Sequence, residues 1–227
     1  MHRFILASAV TMGLMAAPGA QQADSGAIAG RVKLKPHVGG AAMRGTVYPA
    51  RTVSTHRLHP IPEIRNVVVY LKNAASRGAL APMRASIVQE HETFVPHVLA
   101  MTRGSIVEFP NADPIYHNVF SLSSAASFNL GRYPTGQTRR QTLTKAGVVK
   151  VYCQIHSHMS ATILVFDHPY FTIPSDDGSY ELPNVPPGEY TLVGWHERVG
   201  ERTTAIRVER GRTAAIDLSL PVEDEGQ

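Results

Sequence analysis

Val148-Val149-Lys150-Val151-Tyr152-Cys153-Gln154-Ile155-His156-Ser157-His158-Met159-Ser160-Ala161-Thr162-Ile163-Leu164-Val165-Phe166 is two short, β-branched apolar runs on either side of a polar loop. Runs of this length and composition form strands, because branched side chains pack well on a pleated, half-buried surface. The loop between them carries a thiol, two imidazoles and a thioether, and Cys153 is the only cysteine of the chain. Upstream, Pro114-Ile115-Tyr116-His117-Asn118-Val119 sets another imidazole just after a turn. One thiolate, two imidazoles and a weak axial thioether make the donor set of a blue-copper electron-transfer site.

The rest of the chain is punctuated in the same way. Gly26-Ala27-Ile28-Ala29-Gly30-Arg31-Val32-Lys33-Leu34 alternates apolar with small or polar residues and reads as a strand, and Asn66-Val67-Val68-Val69-Tyr70-Leu71 reads as a buried one. Residues 36–65 between them lose periodicity and read as a long basic loop rich in Pro, Gly, Arg and His. Residues 73–84 are a connection. From Ala85 onward, short strands around Ile87-Val88, Val98-Leu99-Ala100-Met101, Ser105-Ile106-Val107-Glu108-Phe109 and residues 117–120 suggest a Greek-key sandwich. In the last third, Asp176-Asp177-Gly178 is a hairpin signal and Pro186-Pro187-Gly188 a tight turn between paired strands. Residues 205–208 and 214–220 form two further strands joined at Arg210-Gly211-Arg212, and 221–227 form an acidic tail. No long helix-period segment and no repeat stands out.

The 227 residues carry a formal net charge of +4, from 22 Lys and Arg against 18 Asp and Glu. The basic residues are scattered, which argues against nucleic-acid binding and for partners with acidic surfaces. His2-Arg3, the apolar run over residues 4–15 and Ala16-Ala17-Pro18-Gly19-Ala20 read as a signal peptide over residues 1–20, with an uncleaved anchor as the alternative. The expected location is periplasmic or otherwise exported, with no membrane span once the signal is removed. An exported chain with one unpaired thiol needs that thiol buried or metal-bound.

With these residues in view, 85–167 resembles a cupredoxin, the plastocyanin and amicyanin family. The resemblance rests on Phe94-x-Pro96, on Gly104-x-x-Val107-x-Phe109-x-Asn111, on His117-Asn118-Val119 and on the C-x2-H-x2-M loop, and covers over a third of the chain. It implies one copper ion held by His117, Cys153 and His156 with Met159 axial, and Asn118 tying the two ligand loops together beside the thiolate. His158 gives the longer C-x4-H spacing of azurin-like members. That spacing wants a Met four residues further on, where Thr162 stands, so His156 is the favoured ligand and His158 the alternative. His91, His97 and His168 are expected at the surface or in packing. His37, His56 and His59 of the basic loop are read as ordinary polar residues, a second metal site being the rival. A Cys–His hydrolase pair lacks a third orienting group in the sequence.

Residues 25–84 and 168–220 resemble a carboxypeptidase regulatory-like, prealbumin-type sandwich, carried by Gly26-Ala27-Ile28-Ala29-Gly30-Arg31-Val32 and by the stretch from Asp176 to Leu192 with its Pro-Pro-Gly. The expected fold class is therefore all-β: a Greek-key cupredoxin sandwich inserted in, or packed beside, a second small sandwich, with Trp195 as a core or interdomain aromatic. The resemblance implies single-electron transfer between redox protein partners, with no bond-making catalysis. A more distant likeness to methylamine-utilisation proteins makes amine oxidation one setting. A copper carrier or storage protein is the alternative, as is a sandwich binding module with structural copper.

Overall fold

The computed structural model describes residues 24–35 and 62–221. The signal segment, His37, His56 and His59, and nearly all of the acidic tail lie outside them. In chain order the strands are β1 (Gly26–Leu34), β2 (Val67–Lys72), β3 (Arg84–Ser86), β4 (Val88–Glu90), β5 (Thr93–Val95) and β6 (Val98–Thr102). They continue as β7 (Ser105–Pro110), β8 (His117–Ser123), β9 (Ala126–Tyr133), β10 (Thr138–Leu143), β11 (Gly147–Tyr152) and β12 (Ser160–Phe166). The last six are β13 (Phe171–Thr172), β14 (Ser179–Val185), β15 (Gly188–His196), β16 (Gly200–Val208), β17 (Thr213–Ala215) and β18 (Leu218–Leu220). The fold is all-β, as expected. The end of the basic loop is more ordered than its composition implies: Glu63–Asn66 form a 3-10 turn that buries Ile64.

Four main sheets stack in sequence. β14-β1-β17, with β18 also on β1, faces β13-β2-β15-β16 across a core that includes Ile28, Leu71, Leu182 and Leu192. β6-β12-β11-β8-β9 faces β10-β7-β3 across a second core of Phe94, Phe109, Val119, Val151 and Ile163. A third cluster of Val68, Tyr70, Val98, Leu164, Phe166 and Val193 joins the two inner sheets. This explains the unbroken apolar runs. In β2, Val67, Val69 and Leu71 face the first core while Val68 and Tyr70 face the joining cluster. In β12, Ala161, Ile163 and Val165 face the second core while Leu164 and Phe166 face the joint. A strand covered on both faces has no polar side to alternate with. Trp195 packs against the same joint.

Two turn expectations and one strand expectation are corrected. Asp176-Asp177-Gly178 does form a turn, with Gly178 at φ +82° donating to Ser175 O at 2.8 Å. However, β13 before it pairs with β2 and β14 after it pairs with β1, so it bridges sheets and closes no hairpin. Pro186-Pro187-Gly188 likewise carries the chain from β14, paired with β1, to β15, paired with β2 and β16. The pyrrolidine rings stiffen this crossing where no ladder donor is needed, and Tyr190 Oη donates to Pro186 O at 3.0 Å. Residues 214–220 are two short strands, broken where Asp217 Oδ1 accepts the Arg31 N–H at 2.9 Å. β9 and β10 had no assignment in the sequence; β10 (Thr-Arg-Arg-Gln-Thr-Leu) is mostly exposed and shows no apolar period.

Beside the joining cluster sits a polar clamp. Glu197, just after β15, accepts from Lys150 Nζ of β11 and lies 2.6 Å from His97 Nε2 and 3.3 Å from Thr162 Oγ1 of β12. His97 Nδ1 in turn meets Ser160 O at 3.0 Å, one residue beyond Met159. The His97 hydrogen bond outweighs burial and, joined by that of Lys150, holds the Glu197 carboxyl down at about 2. A carboxylate with a depressed folded value stabilises the protein above its unfolded value near 4.5, and that contribution is lost as pH falls toward 2. Discounted for partial exposure, it is about 1–2 kcal/mol. Urea midpoints between pH 5 and 2.5 should fall more steeply for the native chain than for Glu197→Gln; equal slopes would remove the clamp from the stability account.

Candidate metal centre

His117 opens β8 directly after the turn at residues 111–116. That turn is braced from within: Asn111 Nδ2 donates to Ile115 O at 2.8 Å and to Tyr133 O at 3.2 Å, and the Asp113 N–H donates to Asn111 Oδ1 at 3.0 Å. The β11–β12 connection is pinned by two backbone bonds, Met159 N–H to His156 O at 3.0 Å and Cys153 N–H to Met159 O at 3.4 Å. Antiparallel pairing of β11 with both β8 and β12 then brings the two ligand segments to one end of the sandwich.

The result is a compact triangle. Cys153 Sγ lies 3.9 Å from His117 Nδ1 and 3.9 Å from His156 Nδ1, and the two nitrogens are 3.1 Å apart. His117 is fully buried, Cys153 is 3% exposed and His156 is half-buried. A three-coordinate ion with bonds of about 2.3 Å to sulfur and about 2.0 Å to nitrogen spans about 3.8 Å and about 3.5 Å between donors. The donor set fits such an ion with adjustments of a few tenths of an ångström. Among the described residues, these three form the one His, Cys, Asp and Glu group spaced to hold a metal.

Met159 is buried in the same core cluster as Cys153. His158 is elsewhere: its exposed ring is 6.2 Å from that of His156, centre to centre, and its Nε2 is 3.5 Å from Glu92 Oε2. Asn118 is buried; its Oδ1 accepts the Gln154 N–H at 3.4 Å and its Nδ2 donates to Asn129 Oδ1 at 2.8 Å. It thus links β8 to the Cys153 loop. His168 is buried, His97 is half-buried in the clamp, and His91 is exposed.

One residue escaped the sequence reading. Asp113 Oδ2 lies 2.7 Å from His117 Nε2, with both side chains buried. Burial raises the Asp113 carboxyl, but the Glu92 N–H, His117 and the His91 N–H outweigh it and the group sits below the usual carboxylate range. The legible signal was an acid four residues before a candidate ligand histidine. Asp113 is also the third orienting group that the sequence lacked for a Cys–His pair. Cys153 is buried and lies 3.9 Å from each of two imidazoles, so the thiol faces a pair of ring nitrogens rather than a single base.

No family model and no curated protein matches this chain. Among solved structures, it is similar to a Cu-containing nitrite reductase from Thermus scotoductus SA-01, at 27% identity and TM-score 0.36, covering 41% of this chain and 24% of that one. The chain thus spans about a quarter of the reductase. A novel purple cupredoxin from Nitrosopumilus maritimus is matched at 23% identity and TM-score 0.33, over 36% of this chain and 99% of that chain. A copper(I) form of an amicyanin variant is matched at 18% identity and TM-score 0.35, over 43% and 98%. The expectation of no bond-making catalysis is corrected by the first of these, which is named as an enzyme. By name, all three neighbours are copper proteins or cupredoxins, each matched over about two fifths of this chain.

Proposed function

We propose that the chain is an exported copper protein that carries single electrons between redox partners. The observation that carries this reading is the triangle of Cys153 Sγ, His117 Nδ1 and His156 Nδ1 at one end of a rigid sandwich. When bound, copper supplies one-electron redox chemistry; the protein supplies ligands, shielding and orientation. Cys153 and the two imidazoles would be the strong donors, and Met159, buried in the same cluster as Cys153, would supply a weaker thioether donor. The core around Val119, Val151 and Ile163 keeps water from the buried side. On the open side, half-buried His156 is the electron's exit, and the exposed apolar side chains Ile115, Tyr116 and Ile155 form the docking surface. The carboxypeptidase regulatory-like sheets serve as a second module beside it.

The test is to add one equivalent of copper(II) to the mature protein and record its visible absorption and EPR spectra. An intense thiolate-to-copper band with narrow copper hyperfine splitting, retained through repeated reduction and reoxidation, is the expected result. A colourless protein would sink the proposal. A coloured protein that surrenders copper(I) readily to a chelator would move the assignment to copper carriage.

A further inference from the structure

The turn of the β4–β5 hairpin is built against backbone preference. His91 and Glu92 both sit at φ +52°, between the paired residues Glu90 and Thr93. Two successive left-handed residues make the turn geometry that Asn-Gly adopts without strain, and ordinary side chains there cost about 1–2 kcal/mol each. Strain of this kind persists where the surroundings hold it in place. Here the tip aims two consecutive N–H groups at one buried carboxylate: His91 N–H reaches Asp113 Oδ1 at 2.5 Å and Glu92 N–H reaches Asp113 Oδ2 at 2.9 Å. The remaining donor to Oδ2 is His117 Nε2, at 2.7 Å. The same tip also places Glu92 beside His158, next to His156 on the other ligand loop.

We propose that Asp113, clamped by the β4–β5 tip, is the positioning residue of the metal centre: it fixes the proton of His117 on Nε2, presents bare Nδ1 toward Cys153, and strengthens this imidazole as a donor to copper(II). This rests on the copper reading above. A histidine that donates its second N–H to a carboxylate is locked in one tautomer and ring orientation and becomes more basic at the other nitrogen. The two N–H groups of the tip hold the carboxylate in place, which fixes the orientation of the imidazole. A stronger donor favours copper(II) over copper(I), which holds the reduction potential down.

The test compares the native chain with Asp113→Asn and Asp113→Ala. In the copper-loaded proteins, Asp113→Asn should keep the blue band and lose about tenfold in copper(II) affinity relative to copper(I). That loss raises the one-electron potential by about 59 mV. A blue Asp113→Asn protein with the native potential overturns the inference. A native protein with no thiolate band instead overturns the copper reading. The positioning role is then decided on metal-free full-length protein by 15N–1H NMR of His117. A slowly exchanging Nε2–H in the native chain that is lost in Asp113→Ala supports it. A proton on Nδ1, or an Nε2–H that survives in Asp113→Ala, overturns it. Should Asp113→Ala fail to fold, the same resonance in Asp113→Asn must shift and exchange faster for the role to stand.

Discussion

Cys153→Ser is expected to abolish the blue band and weaken copper(II) binding by more than a hundredfold, while leaving the β fold in place. A hydroxyl does not ionise near neutral pH, so serine offers no anionic donor, whereas a free cysteine thiol ionises near about 8.5 and readily becomes a thiolate beside a metal. Loss of an outer partner of a metal ligand already costs about 10–100-fold in affinity, and Cys153 is one of the three strong donors of the proposed site. The two imidazoles would remain 3.1 Å apart, held by the Asp113 contact on one side and the pinned loop on the other. They could still bind copper weakly, without charge transfer from sulfur. Absorption, EPR and a copper competition titration read the effect, and far-UV circular dichroism separates it from unfolding. A blue band that persists in Cys153→Ser would remove the residue from the site.

Phe109→Ala is expected to destabilise the protein by about 3–5 kcal/mol. Its side chain is fully buried in the core that also contains Cys153 and Met159, and its ring is 6.3 Å from that of Phe128. It stands on β7, the middle strand of the β10-β7-β3 sheet, so few neighbours are free to collapse into the space it would leave. Its carbonyl accepts the buried Tyr133 hydroxyl at 2.9 Å, so slack in β7 would also loosen the strand paired with His117. Domains are stable by only about 5–15 kcal/mol, so this one substitution takes a large share. Denaturant unfolding measures it, with Leu122→Ala as the control: Leu122 is 81% exposed and its loss should move stability by no more than about 0.5 kcal/mol. An unfolding midpoint for Phe109→Ala equal to the native one would mean that this cluster does not hold the sandwich together.

Much of the fold was legible because its strands announce themselves locally. β2, β11 and β12 are β-branched runs bounded by turn residues, and they form where composition placed them. β9 and β10 were not legible. β10 is held by its ladder with β7, and only Leu143 at its end is buried while most of its other side chains are exposed, so no apolar period marked it. Turns were legible as turns, but their partners were not. Asp177-Gly178 and Pro187-Gly188 bend the chain as their residues require, yet each bend joins strands of different sheets. Local backbone preference sets the bend; the strand next in space is chosen by which apolar faces must be covered.

For the candidate site, the sequence alone pointed to Cys153, His117, His156 and Met159, through one loop and one strand start, and the structure brings the first three within reach of one another. Asp113 and the β4–β5 tip were decided only in three dimensions, since the His91 and Glu92 N–H groups reach the Asp113 carboxylate across more than twenty residues of chain. The same holds for Glu197, which meets His97 from a hundred residues away. Ligand identity is written in side-chain chemistry, which a sequence displays directly. The contacts around those donors, from the Asp113 carboxylate to His117 and from two backbone N–H groups to that carboxylate, come within reach only once the sheets have packed.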